Sequence, residues 1–185
     1  MISLPFRRTR RTPNIDALYG MIVAQARSEV FYRDYGVPDT VEGRLDMIVL
    51  HLVLVLRRLA DGQTQWPPMG QQIFDRFCRD IDDNFREMGV GDLAVPKQMQ
   101  RVASAFFGRA KAYGAALDGG EGRSLDEIVA RNVFGVADPP LGAGRLAAYM
   151  KEAAQRLDRQ PIEAVTDQGP DFVDPAAVPT PTRSS

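Results

Sequence analysis

Gln71–Arg109, QQIFDRFCRDIDDNFREMGVGDLAVPKQMQRVASAFFGR, reads as helix, tight turn, helix. Ile73, Phe74, Phe77, Cys78, Ile81, Phe85 and Met88 recur at steps of one, three and four. With 3.6 residues per turn, that spacing lines them up on one helix face. Asp75, Arg76, Arg79, Asp82, Asp83, Arg86 and Glu87 take the opposite face. Gly89-Val90-Gly91-Asp92 stops the helix, because glycine accepts the left-handed conformation just past a helix end. Pro96 suits the first turn of the next helix, where its missing N–H is no loss. Met99, Val102, Ala103, Phe106, Ala110 and Tyr113 continue the stripe. Two amphipathic helices folded back on each other need a partner for their shared apolar side.

Upstream, Val41 to Ala60 supplies it. From Leu45 to Leu56 nearly every residue is apolar, on all sides, which marks the central buried helix of a bundle. Thr40 is its expected cap. Arg44, His51 and Arg58 are spaced by seven and share a face; His51, the sole histidine, reads as a buried structural residue. Asn14 caps a first helix running to about Arg33, followed by an aromatic cluster of Phe31, Tyr32 and Tyr35. Downstream, Trp66 before two prolines plugs the bundle end. Ser124 and Glu127 form a capping box for a short helix, and a last helix runs from about Gly144 to Leu157. No stretch alternates at period two. The expected fold is all-α: a single compact bundle of about six helices around residues 41–60. Residues 1–13 form a basic, flexible start and 14–158 the helical domain. Residues 159–185, with prolines at 161, 170, 175, 179 and 181, form a disordered tail.

The chain has 185 residues, enough for one domain with a real core. Its net charge of -1 argues against a nucleic-acid partner. One cysteine, Cys78, excludes an internal disulfide and a cysteine-based zinc site. The longest apolar run falls far short of a membrane span, and Met1–Phe6 is too short for a secretory signal. A cytoplasmic protein is expected, peripheral at the inner face of the membrane if Phe6, Arg7, Arg8, Arg10 and Arg11 contact anionic lipid. No nucleophile–histidine pair, phosphate loop or carboxylate cluster free of interleaved arginines stands out. Neither a catalytic residue, a cofactor nor a metal is expected, and a binding module is the better class.

Three segments in order carry a resemblance: YRDYGVPDTVEGR at 32–44, LDMIVLHLVLVLRRL at 45–59 and FDRFCRDIDDNFREMGVGDLAVPKQM at 74–99. Together they resemble the ubiquinol–cytochrome c chaperone family, assembly factors of the cytochrome bc1 complex, over roughly residues 14 to 150. The short basic start resembles its bacterial branch. The resemblance implies a non-enzymatic chaperone that binds newly made cytochrome b and holds it for haem acquisition and bc1 assembly. Mitochondrial members act with a small partner protein; the sequence does not identify one for this chain. Candidate client contacts are Tyr32, Tyr35, Arg44, Arg79, Asp82, Asp83, Arg86, Asp92 and Lys97. Two other readings stay open: a helical carrier or enzyme for quinone or another hydrophobic small molecule, pocketed by the aromatic cluster and His51, and a generic helical adaptor.

Overall fold

The computed structural model describes residues 14–63 and 65–181. The described residues are all-helical: α1 (Ile15–Ala26), α2 (Glu29–Arg33), α3 (Val41–Ala60), α4 (Pro68–Glu87), α5 (Val95–Leu117), α6 (Leu125–Asn132), α7 (Leu141–Arg159) and α8 (Ile162–Gln168). The centre is α3, packed against α1, α4, α5 and α7. All ten residues from Met47 to Leu56 are buried. Several are β-branched and weak helix formers, so burial rather than propensity sustains this helix. The caps expected at Asn14, Thr40 and Ser124 all form.

His51 is the polar exception inside α3, at 0% exposure. Its Nδ1 faces Met47 O at 2.8 Å and its Nε2 faces Tyr149 Oη at 2.9 Å. A carbonyl can only accept, so Nδ1 carries the proton and Nε2 accepts from the Tyr149 hydroxyl. Gln25 Nε2 donates both to Tyr149 Oη (3.0 Å) and to Val173 O (3.1 Å). One chain of hydrogen bonds thus joins α1, α3, α7 and the C-terminal segment.

That segment departs from the expected disordered tail. Residues 162–168 are helical, and the following stretch lies along the bundle. Tyr35 Oη donates to Pro175 O at 2.7 Å and Arg145 Nε to Val178 O at 3.0 Å. Phe172 packs edge-on against His51, while Val173 and Val178 are buried. The prolines that suggest disorder are compatible with an extended strap whose carbonyls are bonded by side chains of the body.

The first helix is also broken where one run was expected. Tyr32 Oη donates to Ala26 O at 2.9 Å, and Ser28 N bonds Gln25 O. The chain turns there, which places Phe31 in the core against His51 and Tyr149. Met88, expected on the apolar stripe, is instead the exposed C-cap of α4.

The signature residues 37–44 prove to be a joint of the fold. Thr40 Oγ1 accepts from Gly43 N at 3.0 Å, and Arg44 pairs with Asp39 at 2.7 Å. A side chain at Gly43 would collide with the Pro38 carbonyl, so the close approach of this loop to α3 requires glycine. Arg58, at the other end of α3, donates to Leu157 O and Gln160 O and so caps α7. Arg44, His51 and Arg58 therefore hold three separate joints.

Asp46 on α3 pairs with Arg109 on α5 at 2.7 Å. Burial pushes the Asp46 carboxyl up to about 6 despite that guanidinium, whereas burial pushes the His51 imidazole down to about 4. The two act oppositely on stability. Between pH 6.5 and about 4 the unfolded chain gains a histidine proton that folded His51 refuses, so acidification destabilises by up to about 3 kcal/mol. Folded Asp46 keeps a proton that the unfolded chain loses near its ordinary value, so stability falls as pH rises toward 6. The two nearly offset over that window. Asp46→Asn is expected to unmask the histidine, giving a steeper loss of urea midpoint between pH 6.5 and 4.5 than the parent shows. Tyr149→Phe leaves His51 Nε2 and one Gln25 N–H unpaired, and should cost about 2 kcal/mol or more in urea unfolding at pH 7.5.

Candidate client-binding surface

The α4–α5 hairpin is built by a shared apolar seam and closed by its turn. Phe74 and Phe77 of α4 meet Phe106 of α5 at ring separations of 4.8 and 5.8 Å. Trp66 stacks on Phe107 (5.8 Å, 16°) and packs on Phe74, so it seals the hairpin flank. At the turn, Val90 N bonds Phe85 O and Gly89 N bonds Arg86 O, with Gly89 at φ 79°. This is a glycine-terminated helix end of the Schellman kind.

The pairs Asp46–Arg109 and Arg57–Asp118 show that α5 runs alongside α3 in the same direction. Val95 lies fourteen residues before Arg109, while Val41 lies five before Asp46. At 1.5 Å per residue the hairpin therefore overhangs the start of α3 by about 13 Å. Its tip carries Leu93, 99% exposed, and Met88, 57% exposed. Large apolar side chains that reach water on a projecting turn are candidates for contact with another molecule.

The structure sorts the sequence candidates into three groups. Arg86 donates to Asp82 at 2.8 Å and to Asp92 at 2.6 Å, so these three brace the turn internally. Each bond is exposed and individually weak, yet the bridge ties the last helical turn to the loop beyond it. Arg79, Asp83 and Lys97 make no ion pair among the described residues and project from the same hairpin. Arg44 sits on the first turn of α3, at the end the hairpin overhangs; its guanidinium lies 5.8 Å from the Tyr32 ring. Arg44 also holds the Asp39 carboxyl below its usual range through their hydrogen bond. Tyr32 is half-buried.

Tyr35 must be withdrawn as a surface contact. It is 2% exposed, bonded to the strap, and covered by the Arg145 guanidinium at 4.2 Å. Its aromatic ring contributes to packing, because the strap closes over it. Phe6, Arg7, Arg8, Arg10 and Arg11 lie outside the described residues. Sequence reasoning missed Leu93 and the exposed position of Met88. The available signal was a lone leucine between Gly91-Asp92 and the next helix, off either stripe.

The small-molecule reading required a pocket at His51. Both ring nitrogens are bonded, and Phe31, Tyr149 and Phe172 pack around the ring at 4.9 to 5.6 Å from one another or from it. Cys78 is half-buried and burial raises its thiol, which disfavours the reactive thiolate. Among the described residues no cluster of three histidine, cysteine or acidic side chains is placed to hold a metal ion. No described helix is long and apolar enough to cross a membrane.

The bracing role of Arg86 has a measurable consequence. Arg86→Ala should change global stability by no more than about 1 kcal/mol, while amide exchange at residues 88–94 accelerates.

Comparison with curated proteins finds no match. Among solved structures, the Cbp3 homolog from Brucella abortus is similar, with a TM-score of 0.77 and 35% sequence identity. The alignment covers 89% of this chain and 91% of that one. A model of the family described as ubiquinol-cytochrome C chaperone matches residues 33–172, from α2 through the first part of the strap. Family match and shared fold agree over the same helical body: the chain belongs to the ubiquinol-cytochrome C chaperone family.

Proposed function

We propose that this protein is a non-enzymatic chaperone that binds newly made cytochrome b and supports assembly of the cytochrome bc1 complex. The observation that carries the reading is the family match across residues 33–172. The geometry supports it from a second side. An unassembled client of this kind presents apolar helices joined by polar loops. A projecting hairpin with Leu93 and Met88 exposed at its tip, Lys97 on the first turn of α5, and Asp83 and Arg79 farther back along α4 offers both kinds of contact on one element. The fixed Arg86 bridge lowers the cost of ordering that tip when a client docks.

The contact set is accordingly Met88, Leu93, Arg79, Asp83 and Lys97, with Arg44 and Tyr32 at the edge. Asp82, Arg86 and Asp92 act by holding the tip in shape. A hydrophobic small-molecule carrier is the weaker reading, since His51 and its aromatic neighbours are engaged with one another. A generic adaptor predicts no selectivity for one respiratory complex.

Charge reversal at Arg79, Asp83 and Lys97 combined with Leu93→Ser is expected to reduce cytochrome b co-purification at least about tenfold, a loss of about 1.4 kcal/mol. The circular-dichroism melt should stay unchanged. Full capture by the folded variant would exclude the hairpin. Deletion of the gene should lower assembled bc1 complex while leaving other membrane complexes intact; a general loss, or none, would overturn the chaperone assignment.

A further inference from the structure

The outward face of α5 carries cations and no acid. At 100° per residue, Lys97, Arg101, Ser104, Gly108, Lys111 and Ala115 fall within about 80° of one another. Val95, Phe106 and Tyr113 lie opposite and are buried. Of the six outward residues, none is buried, and the stripe runs along about 27 Å of helix. Across its full 23 residues α5 carries two lysines, two arginines and no acid. Arg109 is turned inward to Asp46, which leaves three cations facing out. The neighbouring α4 has the reverse bias, with five acids against three arginines. The whole chain is nearly neutral, so this is a segregation of charge rather than a basic composition.

Phe107 sits one turn before Lys111 at the margin of the face and is 51% exposed, its ring stacked on Trp66. Glu121 and Arg123 border the far end of α5 and offset each other in charge.

We infer that the Lys97–Lys111 face of α5 is a docking surface for an anionic lipid bilayer. Three observations point to that occupant. The face has cations but no acid to repel lipid phosphates. Between them stand small residues, so the helix can lie flat on a planar surface. Phe107 offers an aromatic ring to the headgroup boundary from a position already held by Trp66. Binding of this kind is reversible, since a few cations and one ring supply far less than a spanning helix does. Lys97, at the tip end of the face, is shared with the proposed client contact, whereas Arg101, Phe107 and Lys111 belong to this face alone, so the inference does not depend on which client the hairpin tip takes.

Flotation of the full chain with phosphatidylcholine vesicles, with and without phosphatidylglycerol, tests it. Binding is expected only with phosphatidylglycerol, and it should weaken as salt is raised. Each cation near an anionic surface is worth about a fivefold gain, so Arg101→Glu with Lys111→Glu should weaken binding more than about tenfold. Arg101→Gln with Lys111→Gln, a milder change, should give an intermediate loss with an unchanged melting curve. Phe107→Ser should weaken binding at low salt. A second variant, with Arg7, Arg8, Arg10 and Arg11 changed to Ser, should retain phosphatidylglycerol-dependent flotation. The proposal is overturned if the parent chain does not float, if the α5 variants float like the parent, or if only the arginine-to-serine variant loses binding. It is equally overturned if the face retains single-stranded RNA in a filter assay while showing no preference for anionic vesicles.

Discussion

A helix buried on every side leaves no room for an unpaired polar group, and α3 carries an imidazole at its centre. His51 sits amid Met47–Leu56, where an unbonded imidazole nitrogen would carry the full cost of desolvation. Met47 O takes one N–H from within the helix. The other nitrogen has to be met from outside, and Tyr149 meets it. Gln25 then fixes the tyrosine and reaches on to Val173. The placement of α1, α7 and the strap is thus bound to the protonation of a single ring. This gives the packing a specificity that apolar contacts alone lack, since those tolerate sliding and hydrogen bonds do not.

The second organising feature is the division of labour along α4 and α5. Their inner faces complete the core through Ile73, Phe77, Phe106 and Tyr113. Their distal turns outrun α3; Val95 is still buried there, but Leu93 and Met88 stay exposed. In composition α4 is biased to acids and α5 to bases. A client site at the tip and a membrane face along α5 would place a membrane-protein client beside the bilayer as it is held.

Much of this was legible in the residues. Ile73, Phe77, Ile81 and Phe106 keep strict helical spacing, and all four are buried; Met47–Leu56 is too apolar for any position but the centre. The hairpin turn was written in Gly89, and the capping box in Ser124 and Glu127. What escaped depended on contacts distant in sequence. The break after Ala26 carries no glycine or proline; it is set by the pull of Phe31 into the core and the Tyr32 hydroxyl on Ala26 O. The strap reads as a disordered tail because its prolines and small residues lack a stripe. Its order comes from Gln25, Tyr35 and Arg145, all far upstream or on another helix. At the candidate site, charge density alone could not distinguish Arg86, which braces the turn, from Arg79, which makes no ion pair among the described residues. The family signature around Pro38–Arg44 and Gly89 likewise identifies joints of the fold.

The strap also sets an order of events in synthesis. Phe172, Val173 and Val178 come after α8 in the chain, yet they cover His51, Gln25 and Arg145, which emerge earlier. Domains generally form from the N-terminal end as the chain emerges. Here the helical body must wait, with its central polar group only partly covered, until residues 172–178 have left the tunnel. The native packing is therefore complete only once the strap has emerged, and a chain stalled before residue 172 would present an unfinished groove between α1 and α7.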